Sequence, residues 1–259
     1  MKHDRLLDDL GDLAVPAPDS LLPRVLVGTG IVDGYVRRTS VLGDLLVAFG
    51  ANGVTAVELA GDPGEFVTRY ERRFGRRAIP VDRMPPTIAR HLDTAIIEGR
   101  PGRLPVDLDR LTAFQAAVLR AAATIPRGEV RPYGWVAKEI GKPGAVRAVG
   151  TALASNPVPL IIPCHRVVRS DGTLGDYSLG EPENKRTLLE FEGLDTGTFE
   201  ALEASGVRFT GSDTTGIFCH PTCRHARRAG AAHRVDFASE QEARSSGYRP
   251  CKVCRPVAA

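Results

Sequence analysis

The stretch Asn156-Pro157-Val158-Pro159-Leu160-Ile161-Ile162-Pro163-Cys164-His165-Arg166-Val167-Val168 sets a cysteine and a histidine side by side in an apolar run. A cysteine nucleophile reacts as the thiolate, and a free thiol has a pKa of about 8.5, so a base must stand near it at neutral pH. His165 adjoins Cys164 and stays close to it in any fold. Neighbouring side chains often diverge, so a proton moving between them travels through water. A thiol protease takes its histidine from a distant part of the chain, and the adjacency disfavours that class. A buried structural cysteine beside a hydrogen-bonded histidine has the same local sequence, so the pair alone leaves both readings open.

Upstream of this stretch, the pattern predicts helices over 112–123, 133–140 and 143–155, with Asp109 as candidate N-cap of the first. Breaker-rich loops, Pro126-Arg127-Gly128-Glu129 and Gly141-Lys142-Pro143, join them. Short helices on tight turns form a helix-turn-helix pattern, which other small helical domains share. Ala145, Ala148, Gly150, Thr151, Ala152 and Ala154 make the last helix slim; the same residues also serve plain helix propensity. Further upstream, apolar runs at 35–41, 45–49 and 54–59 alternate with Gly43-Asp44 and Ala51-Asn52-Gly53, the signature of an antiparallel meander. Helices follow over 63–74 and 86–98, each opened by proline. Residues 1–30 are a Pro- and Asp-rich lead-in.

Pro163-Cys164-His165-Arg166-Val167-Val168 resembles the active-site motif of the O6-alkylguanine-DNA alkyltransferases, also called methylated-DNA–protein-cysteine methyltransferases. The resemblance begins at Phe114-Gln115 and runs through Gly128-Glu129-Val130, Tyr133, Arg147-Ala148-Val149-Gly150 and Asn156-Pro157-Val158-Pro159. It closes with Gly175-Asp176-Tyr177-Ser178 and Leu188-Leu189-Glu190-Phe191-Glu192-Gly193. It implies that Cys164 takes an alkyl group from O6 of guanine, with O4 of thymine as a further candidate. The thioether is permanent, so each molecule acts once. His165 matches the residue that deprotonates the cysteine through water, and Glu192 the carboxylate that orients that histidine. The damaged base must leave the duplex to reach a buried thiol. Arg147 matches the arginine that fills the space it vacates, and Tyr133 the tyrosine that rotates the target phosphate. Asn156 matches a hinge asparagine, and Tyr177 and Ser178 the loop over the extruded guanine. Two departures stand out. Leu119 replaces a usual tryptophan, and Leu179-Gly180-Glu181-Pro182 carries a one-residue insertion beside the base pocket, which leaves the range of alkyl groups open.

Of five cysteines, the other four form two close pairs, Cys219-x3-Cys223 and Cys251-x2-Cys254. Four thiolates at this spacing suit tetrahedral zinc, and a metal replaces the core that so small a segment lacks. His220, His225 and His233 are competing ligands, and an all-cysteine site is the simpler set. The tail, from Thr214-Thr215-Gly216-Ile217-Phe218-Cys219 to Gly247-Tyr248-Arg249-Pro250-Cys251-Lys252-Val253-Cys254, resembles the zinc module of the Ada adaptive-response proteins. That resemblance implies Cys219 as a second methyl acceptor, from backbone methylphosphotriesters. Arg224, Arg227, Arg228 and Arg249 are candidates for phosphate contacts. The module follows the transferase here, the reverse of the order in Ada, and no segment resembles Ada's regulatory helix-turn-helix domain.

The expected fold is α+β. It comprises the lead-in 1–30, a ribonuclease-H-like α/β domain at 31–108, and a helix-turn-helix, winged-helix-like alkyltransferase domain at 109–193. A polar linker at 194–210 and a zinc module at 211–259 complete it. The 259 residues carry a net charge of +3, divided as −2 over 1–109, +3 over 110–193, −2 over 194–200 and +4 over 201–259. The positive charge lies in the segments whose motifs point to DNA. An odd cysteine number and the lack of a signal-peptide pattern argue against a disulfide framework, and no apolar run is long enough for a membrane helix. The expectation is a cytoplasmic, monomeric repair protein acting on double-stranded DNA that contains O6-alkylguanine. A methylation-responsive DNA-binding regulator is the alternative. A non-reactive lesion sensor is disfavoured by the presence of Cys164.

Overall fold

The structure, a computed structural model, describes residues 21–170, 173–175 and 177–256. Most of the lead-in therefore lies outside the described residues; its last part forms helix α1 (Leu21–Gly28). Strands β1 (Asp33–Ser40), β2 (Gly43–Gly50) and β3 (Gly53–Leu59) make the expected antiparallel meander. Gly43 (φ +97°) and Gly53 (φ +135°) open β2 and β3 in backbone conformations that side chains disfavour. Strand β4 (Ala78–Pro80) adds parallel to β1, giving the order β3-β2-β1-β4; three residues are too few for a readable alternation. In β2, Leu45, Val47 and Phe49 face one core, while Leu46 and Ala48 face another. Helix α2 (Pro63–Phe74) covers the second face with Phe66, Tyr70 and Phe74, and α3 (Pro86–Glu98) covers the first with Ile88, Leu92 and Ile96. Burial on both faces explains why β2 reads as an unbroken apolar run.

The helical unit follows. Helix α4 (Ala113–Ala123) starts at Thr112, whose hydroxyl takes the Gln115 N–H while the Gln115 side chain returns to Thr112 N. This capping box corrects the expected cap at Asp109, whose own N–H bonds to Asp107 in the preceding turn. Helix α5 (Tyr133–Glu139) and α6 (Val146–Ala154) come next. Helix α6 begins three residues later than expected, because Ala145 N bonds back to Lys142 O and closes a turn. A one-turn 3-10 helix spans Cys164–Arg166. It leads into β6 (Val167–Val168), paired in parallel with β5 (Arg131–Pro132). Helix α7 (Pro182–Phe191) completes the unit. The sheet and the helices share one interior: Val36, Phe49 and Val57 belong to the same apolar cluster as Val118, Trp135, Val149 and Ile162.

The polar linker expected at 194–210 is ordered and packed rather than irregular throughout. It holds helix α8 (Thr196–Ala204), capped by Asp195, and Leu194 and Phe199 pack on Val130, Val168 and Leu189. One aromatic residue anchors the helix, so no apolar stripe announces it. The last module contains β7 (Phe209–Ser212), β8 (Ile217–Cys219), α9 (Arg224–Arg227), β9 (Arg234–Phe237), α10 (Glu240–Ser245) and β10 (Arg249–Pro250). Its sheet has the order β10-β8-β7-β9 around Phe218, Phe237 and Ala243. Among the described residues no helix is long and apolar enough to cross a membrane.

Because Thr112 holds one half of a reciprocal cap, Thr112→Ala is expected to cost about 1 kcal/mol of unfolding free energy, read from the urea midpoint at constant m-value.

Candidate active site and metal centre

Cys164 sits at the start of the 3-10 turn, 5% exposed. The Asn156 amide donates to its sulfur at 3.2 Å, and the Ser178 hydroxyl lies 3.3 Å away. Asn156 also donates to Ile162 O and accepts from Val158 N, so one side chain ties the end of α6 to the reactive turn. Burial pushes the thiol pKa up; Ser178, Asn156 and the charge of Lys185 pull against that.

His165 is buried, and its Nε2 lies 2.8 Å from Glu192 Oε1. Burial drives the imidazole pKa down, against the opposing pull of Glu192, so the neutral form prevails at pH 7. The neutral ring donates from Nε2 to the carboxylate, which leaves Nδ1 as an acceptor; Nδ1 is buried without a hydrogen-bond partner among the described residues. Glu192 caps the end of α7. Burial raises its pKa, but hydrogen bonds and charge from His165 and Arg166 outweigh that and hold it at about 2. Arg166 grips both carboxylate oxygens, Nε to Oε2 at 2.9 Å and Nη2 to Oε1 at 2.7 Å. It also donates to Ile125 O and Glu98 O. Gly128 N adds a longer bond to Glu192 Oε2, 3.3 Å.

Cys164 opens onto a cavity of about 660 Å³ whose lining includes Tyr133, Arg147, Arg169, Tyr177 and Ser178. Tyr133, Arg147, Tyr177 and Ser178, all singled out in the sequence, thus share the cavity onto which Cys164 opens, and Asn156 and Ser178 contact its sulfur. Arg147 is exposed on α6. His165 and Glu192 form the layer behind the sulfur.

Two functional side chains escaped the sequence reading. Arg166 stands inside the quoted motif, but nothing local shows that its partner is 26 residues away. Lys185, on α7, is fully buried; it donates to Val167 O at 2.7 Å and lies 6.0 Å from the Tyr133 ring centre. A lysine on a short polar helix reads as a solvated one, so no signal marked it.

The four tail cysteines converge. Their sulfurs lie within 4.8 Å of one another, and all four side chains are buried. Sulfurs around tetrahedral zinc stand about 3.8 Å apart, so the cluster fits that ion. Hydrogen bonds from Cys219 and Cys254 pull the Cys223 thiol down in pKa, while those with Cys223 and Cys254 push Cys219 up. The histidines stay outside: His220 lies against Phe209, and His233 pairs with Asp213. Cys219 and Cys251 line a groove of about 450 Å³ together with Arg228, Arg249 and Lys252. Arg227 turns instead toward Gly128.

The mixed helix-and-sheet fold thus carries a cysteine–histidine–carboxylate site in one part of the chain and a four-thiol knuckle that fits a metal in another. Residues 113–194 match the DNA-binding domain of 6-O-methylguanine DNA methyltransferase, and residues 198–257 match the metal-binding domain of Ada. Residues 113–194 and 198–257 thus belong in turn to the families those two domains represent. The chain is 39% identical over 163 residues to the bifunctional transcriptional activator/DNA repair enzyme Ada of Escherichia coli, covering 62% of this chain and 46% of that one. It is 48% identical over 99 residues to the methylated-DNA–protein-cysteine methyltransferase of Mycobacterium tuberculosis, covering 38% and 59%. The chain thus spans about half the length of these curated relatives. The O6-methylguanine-DNA methyltransferase structure from Pyrococcus kodakaraensis aligns with 63% of this chain and 100% of that one, at TM-score 0.50 and 26% identity.

Gly99 ends α3 at φ +59°, and a Cβ there would sit 2.9 Å from Glu192 Oε1 and press on the Arg166 guanidinium. Gly99→Ala is expected to destabilise the protein by roughly 2–4 kcal/mol, since it strains the backbone and disturbs a buried ion pair. Gly102→Ala, at φ +56° with open space around it, carries only the backbone cost of about 1 kcal/mol. Denaturant unfolding of the two variants separates the contributions.

Proposed function

We propose that this protein repairs DNA by direct reversal, moving a methyl group from O6 of guanine to Sγ of Cys164, once per molecule. The observation that carries the reading is the buried Cys164 on the cavity, backed by His165, Glu192 and Arg166 in one hydrogen-bonded row. His165 Nδ1 takes the thiol proton through water, and Glu192 steadies the imidazolium that results. The sulfur then forms a bond to the methyl carbon as the carbon–O6 bond breaks. The electron pair stays on the base, which takes up a proton and leaves as guanine. Arg147 on α6 fills the gap left by the extruded nucleotide, and Tyr133 turns its phosphate. Asn156 aligns the reactive turn, while Tyr177 and Ser178 close over the base. Lys185 supplies positive charge beside the sulfur.

This reading takes residues 31–108 as a ribonuclease-H-like domain, 109–193 as a winged-helix-like alkyltransferase domain and 211–259 as the zinc module. The protein acts in the cytoplasm as a monomer on double-stranded DNA. Cys219, Cys223, Cys251 and Cys254 hold zinc, which when bound keeps the thiols deprotonated and offsets their charge. Cys219 is a second acceptor. Arg228 and Arg249, in the groove beside it, hold a backbone methylphosphotriester; the sulfur takes the methyl carbon and a phosphodiester anion departs.

Duplex DNA carrying tritiated O6-methylguanine, followed by peptide mapping, tests the main claim. Label on Cys164 that disappears in Cys164→Ala is expected; an unlabelled Cys164 in folded protein sinks it. Methylphosphotriester DNA tests Cys219 in the same way. The pH profile gives a further check. His165 accepts a proton only while neutral, and burial puts its pKa below 6.5, so single-turnover transfer should hold level down to about pH 6.5 and fall only below it. A decline that begins above that value contradicts the assignment of His165 as base.

A further inference from the structure

The metal module does not hang free of the transferase. The loop Arg127-Gly128-Glu129-Val130 and helix α5 receive it through a set of buried polar contacts. Glu129 is 1% exposed and pairs with Arg131; its other carboxylate oxygen accepts the N–H of Arg224 at 3.0 Å, at the start of α9 directly after Cys223. Thr222 clips the backbone of Val130 on both sides, accepting from its N–H (3.0 Å) and donating to its carbonyl (3.2 Å). Trp135, the one tryptophan of the chain, donates its indole N–H to the carbonyls of Cys254 (3.1 Å) and Arg255 (2.9 Å). Arg255 follows the last thiol at φ +44°, a left-handed conformation that costs a residue with a side chain. It is held there by its bond to Cys251 O and its ion pair with Glu139 at 2.6 Å.

The receiving elements are also those that build the active site. Gly128 N bonds to Glu192, and Arg127 donates to Phe191 O one residue earlier. Val130 leads into β5, which pairs with β6 directly after the Cys164–Arg166 turn. Trp135 lies two residues beyond Tyr133, on the same helix. A contact chain therefore runs from Cys223 through Arg224, Glu129, Gly128 and Glu192 to His165, and a second from Cys254 through Trp135 to Tyr133.

We propose that the metal-binding module is a positioning domain for the alkyl transfer: loading of its four thiols sets the Glu192–His165 pair and Tyr133 through the Thr222–Val130, Arg224–Glu129 and Trp135–Cys254 contacts. The inference rests on the alkyltransferase reading for its kinetic half and on the interface alone for its structural half. Without a metal the two knuckles lose the tie that shapes the strained Arg255 turn and the α9 start, and their partners on the transferase lose fixed acceptors and donors. Small displacements of a proton relay cost rate steeply.

The experiment uses the full chain, reduced, either zinc-loaded or stripped by a chelator. Trp135 emission reports docking directly; stripping should shift it to the red, and added zinc should restore it. Single-turnover transfer from O6-methylguanine DNA, at saturating protein, should slow by about tenfold or more on stripping. In zinc-loaded protein, Thr222→Val removes both clips at nearly constant volume and should lower the saturated transfer rate with zinc content and DNA affinity unchanged, while Thr222→Ser retains the rate. Unchanged Trp135 emission on stripping overturns the proposal whatever the activity. So does a shifted emission with an unchanged saturated rate, or a loss confined to DNA affinity, which makes the module a DNA anchor only. If the loaded protein transfers no methyl group at all, the alkyltransferase reading has failed, and the emission arm still decides whether the two modules are coupled.

Discussion

A carboxylate placed out of reach of water must be matched in charge and in hydrogen bonds, and in this chain Glu192 meets that demand with Arg166 and His165. Arg166 answers three parts of the fold at once. It reaches the end of α3 at Glu98, the turn after α4 at Ile125 and the cap of α7 at Glu192. The helices can meet only where the guanidinium finds all three partners. Gly99 and Gly128, both in left-handed conformations, let backbone approach where a Cβ would collide, at Gly99 with this pair and at Gly128 with the Glu192 carbonyl. His165 is oriented by the same carboxylate that ties the helices together, so the stability of the domain and the pose of its imidazole depend on one interaction.

The thiol cluster plays the corresponding part in the tail. The module buries few apolar side chains, with Phe218, Phe237 and Ala243 at its centre, and four cysteines stand where a larger domain would hold its core. Its polar ends are completed by the transferase rather than by solvent, through Glu129, Val130, Trp135 and Glu139.

Much of this was legible before any coordinates. The meander could be read because Gly43 and Gly53 punctuate apolar runs, and α2 and α3 because proline opens each. Cys164, His165 and the two cysteine pairs stood out because their grouping is local in sequence. What stayed hidden was non-local. Strand β4 exists only because β1 offers it an edge, and α8 only because Phe199 finds Val168 and Leu189. Nothing near Arg166, Lys185, Glu129 or Trp135 names a partner far along the chain. These residues act by completing contacts, and contacts across distance leave no periodicity to detect.

Helix α8 has a consequence for the proposed repair. A flexible tether would let the two proposed acceptors, Cys164 and Cys219, search separate stretches of duplex, each raising the local concentration of the other. A helix packed on Val130, Val168 and Leu189 removes that freedom and makes the pair a ruler of constant length. On the proposed reading, base damage and backbone damage would be engaged together only where their spacing along the duplex equals the span of the ruler.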